Sequence, residues 1–207
     1  MVLDKNRLRF GSIGDRSLHL CVDMQRLFAE NTPWRTPWMN RVVPNVLRLV
    51  QTAPEATMFT RFIPAEKVGV GQGTWKRYYE RWSSMTIERL GRDMVELIPA
   101  LHRFVPPAEL LDKRVYSPWV ETDLQERLLR RKIDTIIVSG GETDVCVLST
   151  VLGAIDRGYR VIIATDALCS SSDETHDAQL GIYHRRYGQQ VETVKTQLII
   201  NHWRSQD

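Results

Sequence analysis

The segment from 138 to 158, VSGGETDVCVLSTVLGAIDRG, holds a cysteine in a position suited to nucleophilic chemistry. A buried strand is predicted to run into two glycines, and a helix follows with Thr143 as its N-cap and Cys146 in its first turn. Free backbone N–H groups and the helix dipole stabilise a thiolate there, and the same groups can form an oxyanion hole. The alternative is a core cysteine packed against the sheet. A strand, a tight glycine turn and a capped helix together favour a nucleophile.

Asp23 and Lys113 are the candidate partners of this cysteine. Asp23 ends an otherwise apolar strand, so its carboxylate needs a partner or a raised pKa, and a base that takes the thiol proton meets that need. The alternative for Asp23 is a cap on the turn that begins at Met24. A Lys113 cation beside Cys146 would lower the thiol pKa and stabilise charge in a transition state, whereas a lone loop lysine is normally solvated. Cys21 and Cys169 are expected in the core.

An alternation of strands and helices must position these side chains. Apolar runs predict strands at 18–23, 56–62, 133–140 and 160–166, with weaker candidates at 113–117 and 191–196. Strand followed by helix, repeated, predicts an α/β fold with a mostly parallel sheet and helices on both faces. Ligands bind outside the carboxyl ends of such strands, so we expect Asp23, Lys113 and Cys146 to converge on one rim.

The helical patterns lie between the predicted strands, at 39–53, 122–132 and 143–158. Thr122 and Gln125 have the spacing of a capping box, and Gly158 stands where a helix would stop. We predict that residues 1–207 form one domain. The stretch from 63 to 110 is interpreted as an insertion or lid within it.

Composition excludes several classes of protein. The 28 Lys and Arg against 25 Asp and Glu give a net charge of +3, and the basic residues are dispersed, which argues against nucleic-acid binding. Three scattered cysteines without a zinc-ligand spacing favour a reducing compartment. No apolar run approaches the ~20 residues of a membrane span. We therefore expect a soluble, cytoplasmic protein that acts on a small molecule.

Aromatic residues are concentrated between 31 and 82. Trp75, Tyr78, Tyr79 and Trp82 are spaced for one helix face, and Trp34 and Trp38 lie in TPWRTPW. The first interpretation is core or subunit interface, and it predicts a homo-oligomer, a dimer or tetramer. The second is an apolar pocket closed over a substrate.

Three segments, LCVDMQRLF, DKRVYSPWVETDLQERL and SGGETDVCVLSTVLGAIDRGYRVIIATDALCSS, resemble in order and spacing the isochorismatase-like cysteine hydrolase family. The resemblance is close over 18–28 and 112–172. It implies a three-layer α/β/α fold with a six-stranded sheet, and it makes Asp23 the general base, Lys113 the catalytic cation and Cys146 the nucleophile. It also places a non-proline cis peptide at Gly141 to Glu142, with the N–H groups of Glu142 and Cys146 directed at an oxyanion.

The chemistries of that family differ, and the residues discriminate among them. Relatives that cleave a vinyl ether lack the cysteine, so Cys146 favours hydrolysis of a C–N bond in an amide or N-carbamoyl substrate. Nicotinamidases carry a metal site with an Asp-x-His motif, but residues 60–75 contain neither residue type. We therefore expect no metal and no cofactor. The residues expected to contact the substrate are Phe28, Arg61, Tyr116 and Trp119. A vinyl-ether hydrolase led by Asp23 and a non-catalytic member of the fold remain the alternatives.

Overall fold

A computed structural model describes residues 8–203 and contains one parallel six-stranded sheet with the strand order β3-β2-β1-β4-β5-β6. The predicted α/β class is confirmed. The strands are β1 (Ser17–Val22), β2 (Thr57–Phe62), β3 (Glu109–Lys113), β4 (Thr135–Gly141), β5 (Arg160–Cys169) and β6 (Val191–Val194).

The position of the third strand corrects the sequence prediction. It runs from Glu109 to Lys113 instead of 113–117. The strand lies at the edge of the sheet, where a strand need not be apolar on both faces, and its sequence ELLDK mixes charge with leucine. Lys113 is therefore the last residue of its strand, which places it at the carboxyl edge.

Helices cover both faces of the sheet. The helices are α1 (Arg26–Ala29), α2 (Met39–Thr52), α3 (Thr74–Arg81), α4 (Ile87–Leu90), α5 (Pro99–His102), α6 (Leu124–Arg130), α7 (Cys146–Asp156), α8 (Asp173–Arg186) and α9 (Thr196–His202). One apolar cluster joins α2 and α9 to side chains such as Phe59 and Ile137, and a second joins α6, α7 and α8 to side chains such as Met58 and Val138. Because successive strand residues point to opposite faces, the result is the predicted three-layer arrangement.

The chain between β2 and β3 contains α3, α4 and α5, together with two short 3-10 helices at 83–85 and 92–95. A small apolar cluster of Leu27, Met85, Ile87 and Val95 holds part of it against the segment that follows β1. Within residues 8–203, no helix has both the length and the apolar character needed to cross a membrane.

Two capping predictions are wrong, and one is confirmed. Helix α7 begins at Cys146 after Val145, and the Thr143 hydroxyl instead donates to the Cys169 carbonyl at 3.1 Å. Thr122 accepts from the Leu124 N–H at 3.2 Å, so the three-residue spacing of a capping box is not used. Gly158 lies just past α7 with φ +80°, the left-handed conformation of a helix stop.

Gly140 allows β4 to approach β1 closely. It pairs with Val22 across the two strands and has φ +104°, and an added Cβ would lie 2.1 Å from the Val22 carbonyl oxygen. The obstacle is backbone, which no rotamer change can move. Only glycine therefore fits where the end of β4 passes the residue before Asp23.

Replacing Gly140 with alanine is expected to lower the free energy of unfolding by about 3 kcal/mol, because the substitution adds both strain and overlap. Urea unfolding of both proteins measures this difference. Gly181→Ala on α8 is the control, since nothing lies within 4 Å of its added Cβ. Helix propensity predicts that this control gains up to ~1 kcal/mol. Equal stability of the Gly140→Ala and wild-type proteins would contradict the close approach.

Candidate active site

Asp23 follows the last residue of β1, and its side chain lies at the edge of the sheet where the strands end. Its φ of +49° lies in the left-handed region, which aspartate tolerates better than most residues. The Thr60 hydroxyl of β2 donates to Asp23 Oδ1 at 2.5 Å, and Lys113 Nζ donates to Asp23 Oδ2 at 2.7 Å. Both carboxylate oxygens are thus bound, as a buried carboxylate requires.

Lys113 is buried to the same degree as its partner. The side chains of Lys113 and Asp23 are 0% and 1% exposed. Lys113 Nζ lies 3.3 Å from the Val115 carbonyl oxygen and 5.2 Å from the centre of the Phe62 ring. Burial acts to lower the pKa of Lys113, but Asp23 and Cys146 favour its charged form, and the pKa is raised. Lys113 therefore stays a cation beside the cysteine.

Cys146 is the first residue of α7, and its thiol interacts with both Asp23 and Lys113. The structure brings Asp23, Lys113 and Cys146 together at the carboxyl edge of the sheet. Burial raises the pKa of the Cys146 thiol, Lys113 opposes that rise, and Asp23 adds to it. Lys113 acts to lower the thiol pKa, as expected, but burial has the larger effect and the net pKa is raised. The raised pKa favours the neutral thiol over the thiolate.

The loop before Cys146 carries the expected backbone features. The Gly141–Glu142 peptide is cis, as the family resemblance predicted. The Val147 N–H donates to the Glu142 carbonyl at 3.0 Å, and the Thr143 N–H donates to the Cys169 carbonyl at 3.0 Å. Among residues 8–203, no backbone–backbone hydrogen bond outside the helices and strands uses the N–H group of Glu142 or Cys146. These two donors are available to a ligand.

A cavity of about 280 Å³ opens above Cys146. Six of its lining side chains are aromatic, and two are charged. Its lining residues are Phe28, Pro33, Trp34, Arg35, Phe62, Tyr78, Trp82, Tyr116, Glu142, Val145, Cys146 and Ser171. Trp34, Tyr78 and Trp82 of the 31–82 segment thus contribute to a pocket wall, which is the second interpretation of that segment.

Two of the four expected substrate contacts line this cavity, namely Phe28 and Tyr116. Sequence reasoning missed the Glu142 side chain and Arg35, whereas Trp34, Tyr78 and Trp82 lie at the cavity as the second interpretation of the aromatic segment predicts. Only the helical spacing of the last two signalled a shared face. No local pattern marks Glu142 or Arg35, because they meet at the cavity through contacts between segments distant in the chain.

Arg61 lies away from this cavity, and its predicted contact with the substrate is corrected. Its guanidinium binds Asp112 at 2.7 Å and Glu96 at 2.7 Å. Side chains alternate along β2, so Thr60 faces Asp23 while Arg61 takes the opposite face. Arg61 lines a separate, largely charged cavity of about 410 Å³, to which neither Asp23 nor Cys146 contributes.

Trp119 is also placed elsewhere. Its indole Nε1 donates to the Thr150 carbonyl at 2.9 Å, and its ring stacks on Tyr159 with 5.7 Å between ring centres. The indole occupies space beside Gly153, where an added Cβ would lie 2.2 Å from it. Trp119 thus packs on α7 beyond its first turn and supports the helix that carries Cys146.

The described residues, 8–203, contain no group of three or more His, Cys, Asp and Glu side chains that could hold a metal ion. The buried histidine nearest to the Cys146 loop is His176, whose Nδ1 lies 2.8 Å from the Thr143 hydroxyl. Its ring also contacts Trp38, with 4.8 Å between ring centres. His176 therefore supports the loop through Thr143.

Fold and site together define an α/β protein of the isochorismatase type. The family model described as Isochorismatase domain matches residues 17–195. The chain therefore belongs to the isochorismatase family. The predicted family resemblance is confirmed.

Individual proteins show the same relationship. The isochorismatase family protein YwoC of Bacillus subtilis (strain 168) is 32% identical over 72% of this chain and 77% of its own. Nicotinamidase 3 of Arabidopsis thaliana is 28% identical over 78% and 77%. The aligned segment spans 77% of each of these two relatives and 57% of a further Bacillus subtilis relative. A solved cysteine hydrolase from Pseudomonas syringae pv. phaseolicola 1448A superposes with a TM-score of 0.81, 26% identity and 98% coverage of both chains.

The opposite effects of Asp23 and Lys113 on the Cys146 thiol predict opposite mutant behaviour. Asp23→Asn removes the charge that raises the thiol pKa, so alkylation of Cys146 by iodoacetamide at neutral pH should become faster. Lys113→Met removes the charge that lowers it, so alkylation should become slower. Each unit of pKa change alters the thiolate fraction about tenfold. Mass spectrometry of the alkylated peptide measures both rates.

Cys21 and Cys169 are the internal controls for this experiment. Both are fully buried, and burial raises the pKa of Cys21 to about 12. Cys146 lines a cavity, so it should react first in the native protein. Circular dichroism must show that both variants remain folded. If the alkylation rate of Cys146 changed in the same direction in both variants, the inferred opposite effects of Asp23 and Lys113 would be contradicted.

Proposed function

We propose that this protein is a cysteine hydrolase that cleaves the C–N bond of a small amide or N-carbamoyl substrate. The observation that carries the proposal is the Cys146 thiol, which interacts with a buried carboxylate and a buried ammonium group at the base of a small cavity. Family membership and the similarity to a protein named nicotinamidase support it. The cavity of about 280 Å³ suits a substrate of few heavy atoms.

The reaction begins with a proton transfer. Because the pKa of Cys146 is raised by burial, the thiol is neutral until substrate arrives. As Sγ attacks the carbonyl carbon, its proton passes to Asp23, and the C–O double bond becomes a single bond to an oxyanion. Lys113 remains charged and stabilises the negative charge that develops.

The free N–H groups of Glu142 and Cys146 are the proposed oxyanion donors. Backbone donors of this kind are fixed before the reaction and gain strength as the charge develops on oxygen. They belong to the chain just before α7 and to its first residue, so the helix dipole adds to their effect.

Collapse of the tetrahedral intermediate completes the first half. The C–N bond breaks, the nitrogen takes the proton from Asp23, and ammonia or an amine leaves a thioester on Cys146. A water molecule then attacks the thioester carbon and gives a proton to Asp23. The C–S bond breaks, Sγ recovers the proton, and the acid product leaves.

Cys146→Ala is expected to abolish ammonia release while leaving the fold intact, because a small apolar residue is tolerated there. Cys146→Ser should be nearly as inactive, since a hydroxyl is far harder to ionise than a thiol. Ammonia release is measured across amides, ureido acids and N-carbamoyl amino acids. Adding Asp23→Asn to Cys146→Ala should change little, because residues that act as a unit are not additive.

The same variants test the alternatives. If Cys146→Ala keeps near-normal turnover, the nucleophile is wrong and a vinyl-ether hydrolase led by Asp23 takes its place. No turnover by wild-type protein on any of these substrates or on a vinyl ether would instead indicate a non-catalytic member. Glu126→Gln, an exposed change on α6, serves as the control for handling and folding.

Hydrolysis is expected to be independent of added metal. Residues 60–75 lack the Asp-x-His motif of the metal-containing relatives. Prolonged dialysis against a chelator should leave the ammonia-release rate unchanged. Loss of activity that zinc, iron or manganese restores would contradict this reading and favour a metal-dependent amidase.

A further inference from the structure

The Glu142 side chain has no part in the chemistry described so far, yet it lines the cavity above Cys146. Its Oε1 accepts a hydrogen bond from the Ser171 N–H at 2.9 Å, which fixes the carboxyl group in the wall. A carboxyl group held in an otherwise aromatic wall is available to bind part of a ligand.

The charges around Glu142 are mainly negative. Burial raises the pKa of Glu142, its contacts with Ser171 oppose the rise, and Asp144 and Asp23 add to it. The buried cation of the site, Lys113, is already paired with Asp23 at 2.7 Å. A ligand cation would relieve this excess of negative charge.

Arg35 is the other charged side chain of the cavity wall, and it is exposed. Water and salt screen an exposed charge far more than a half-buried one. Glu142 should therefore determine the sign of charge that the cavity prefers.

The aromatic residues of the wall favour the same sign. The negative faces of aromatic rings attract cations, and Trp is the most effective ring. Trp34 and Trp82 both line the cavity, with 6.3 Å between ring centres, and Tyr78 lies 5.7 Å from Trp34. Aromatic rings combined with a carboxylate are a common way to bind an ammonium group.

We propose that the cavity takes a substrate whose non-reacting end is cationic, such as an ammonium or alkylammonium amide, and that Glu142 selects it. This proposal rests on the proposed function, which supplies the reaction at the other end of the substrate. It assigns the amide or N-carbamoyl carbon to Cys146 and the cationic end to Glu142 and the aromatic wall.

A matched set of amides tests the charge preference. Betaine amide carries a trimethylammonium group, 3,3-dimethylbutanamide is its neutral isostere, and succinamate carries a carboxylate. We expect kcat/KM to be at least about tenfold higher for betaine amide than for its neutral isostere. A preference for the neutral amide or for succinamate would overturn the proposal, and the latter would favour Arg35 as the selecting residue.

Variants of Glu142 test its role. Glu142→Gln keeps the shape and removes the charge, so the ratio of kcat/KM for betaine amide to kcat/KM for the neutral isostere should fall about tenfold. Glu142→Asp keeps the charge and should retain part of the preference. Glu126→Gln is the matched control, because its side chain lies outside the cavity. An unchanged preference in Glu142→Gln would overturn the proposal.

A binding measurement separates this inference from the proposed function. Calorimetric titration of Cys146→Ala with betaine amide and its isostere reports binding without turnover. Tighter binding of the cation that is lost when Glu142→Gln is added supports the inference, even if wild-type protein hydrolyses no amide. Equal binding of the two amides, or no binding of the cation, overturns the inference, even if amides are hydrolysed.

Discussion

The ion pair between Lys113 and Asp23 is the constraint on which the carboxyl edge of the sheet depends. Both charges are out of water, so each needs the other, and removal of one partner from such a pair typically costs about 3–5 kcal/mol. Asp23 follows β1 and Lys113 ends β3, and these two strands flank β2 in the sheet. The ion pair therefore bridges over the end of β2, and Thr60 of β2 donates to the same carboxylate. Three strand ends are thereby held in one geometry, and the base of the cavity is built on them.

The same pair controls the cysteine. Lys113 favours a thiolate, whereas Asp23 and burial disfavour it, and the balance leaves the thiol protonated. With Asp23 within reach of a neutral thiol, the sulfur can lose its proton as its bond to the substrate carbon forms. Gly140 makes this proximity possible, because its missing side chain lets the chain that leads to Cys146 pass against the backbone that leads to Asp23.

Much of this arrangement could be predicted from the sequence. Apolar runs located the inner strands, and the rule for parallel sheets brought Asp23, Lys113 and Cys146 together. Edge strand β3 was misplaced because its residues mix charge with leucine. The predicted substrate contact of Arg61 was wrong because side chains alternate along β2, and the register of the strand turns Arg61 away from Asp23. Phe28 and Tyr116 of the cavity wall were predicted, and the aromatic segment with Trp34 and Tyr78 was a candidate pocket. Glu142 was missed because it meets these side chains only in three dimensions.

The base and the wall of the cavity come from different parts of the chain. The base consists of strand ends and the start of α7, whereas much of the wall comes from the 28–35 segment and from α3 with the residue after it. The Trp34 ring contacts Tyr78 and Trp82, with 5.7 and 6.3 Å between ring centres. Combinatorial libraries restricted to these wall positions can therefore explore new specificities while the inherited reactive centre stays intact. Divergence within such a lineage is expected to concentrate in the same two stretches.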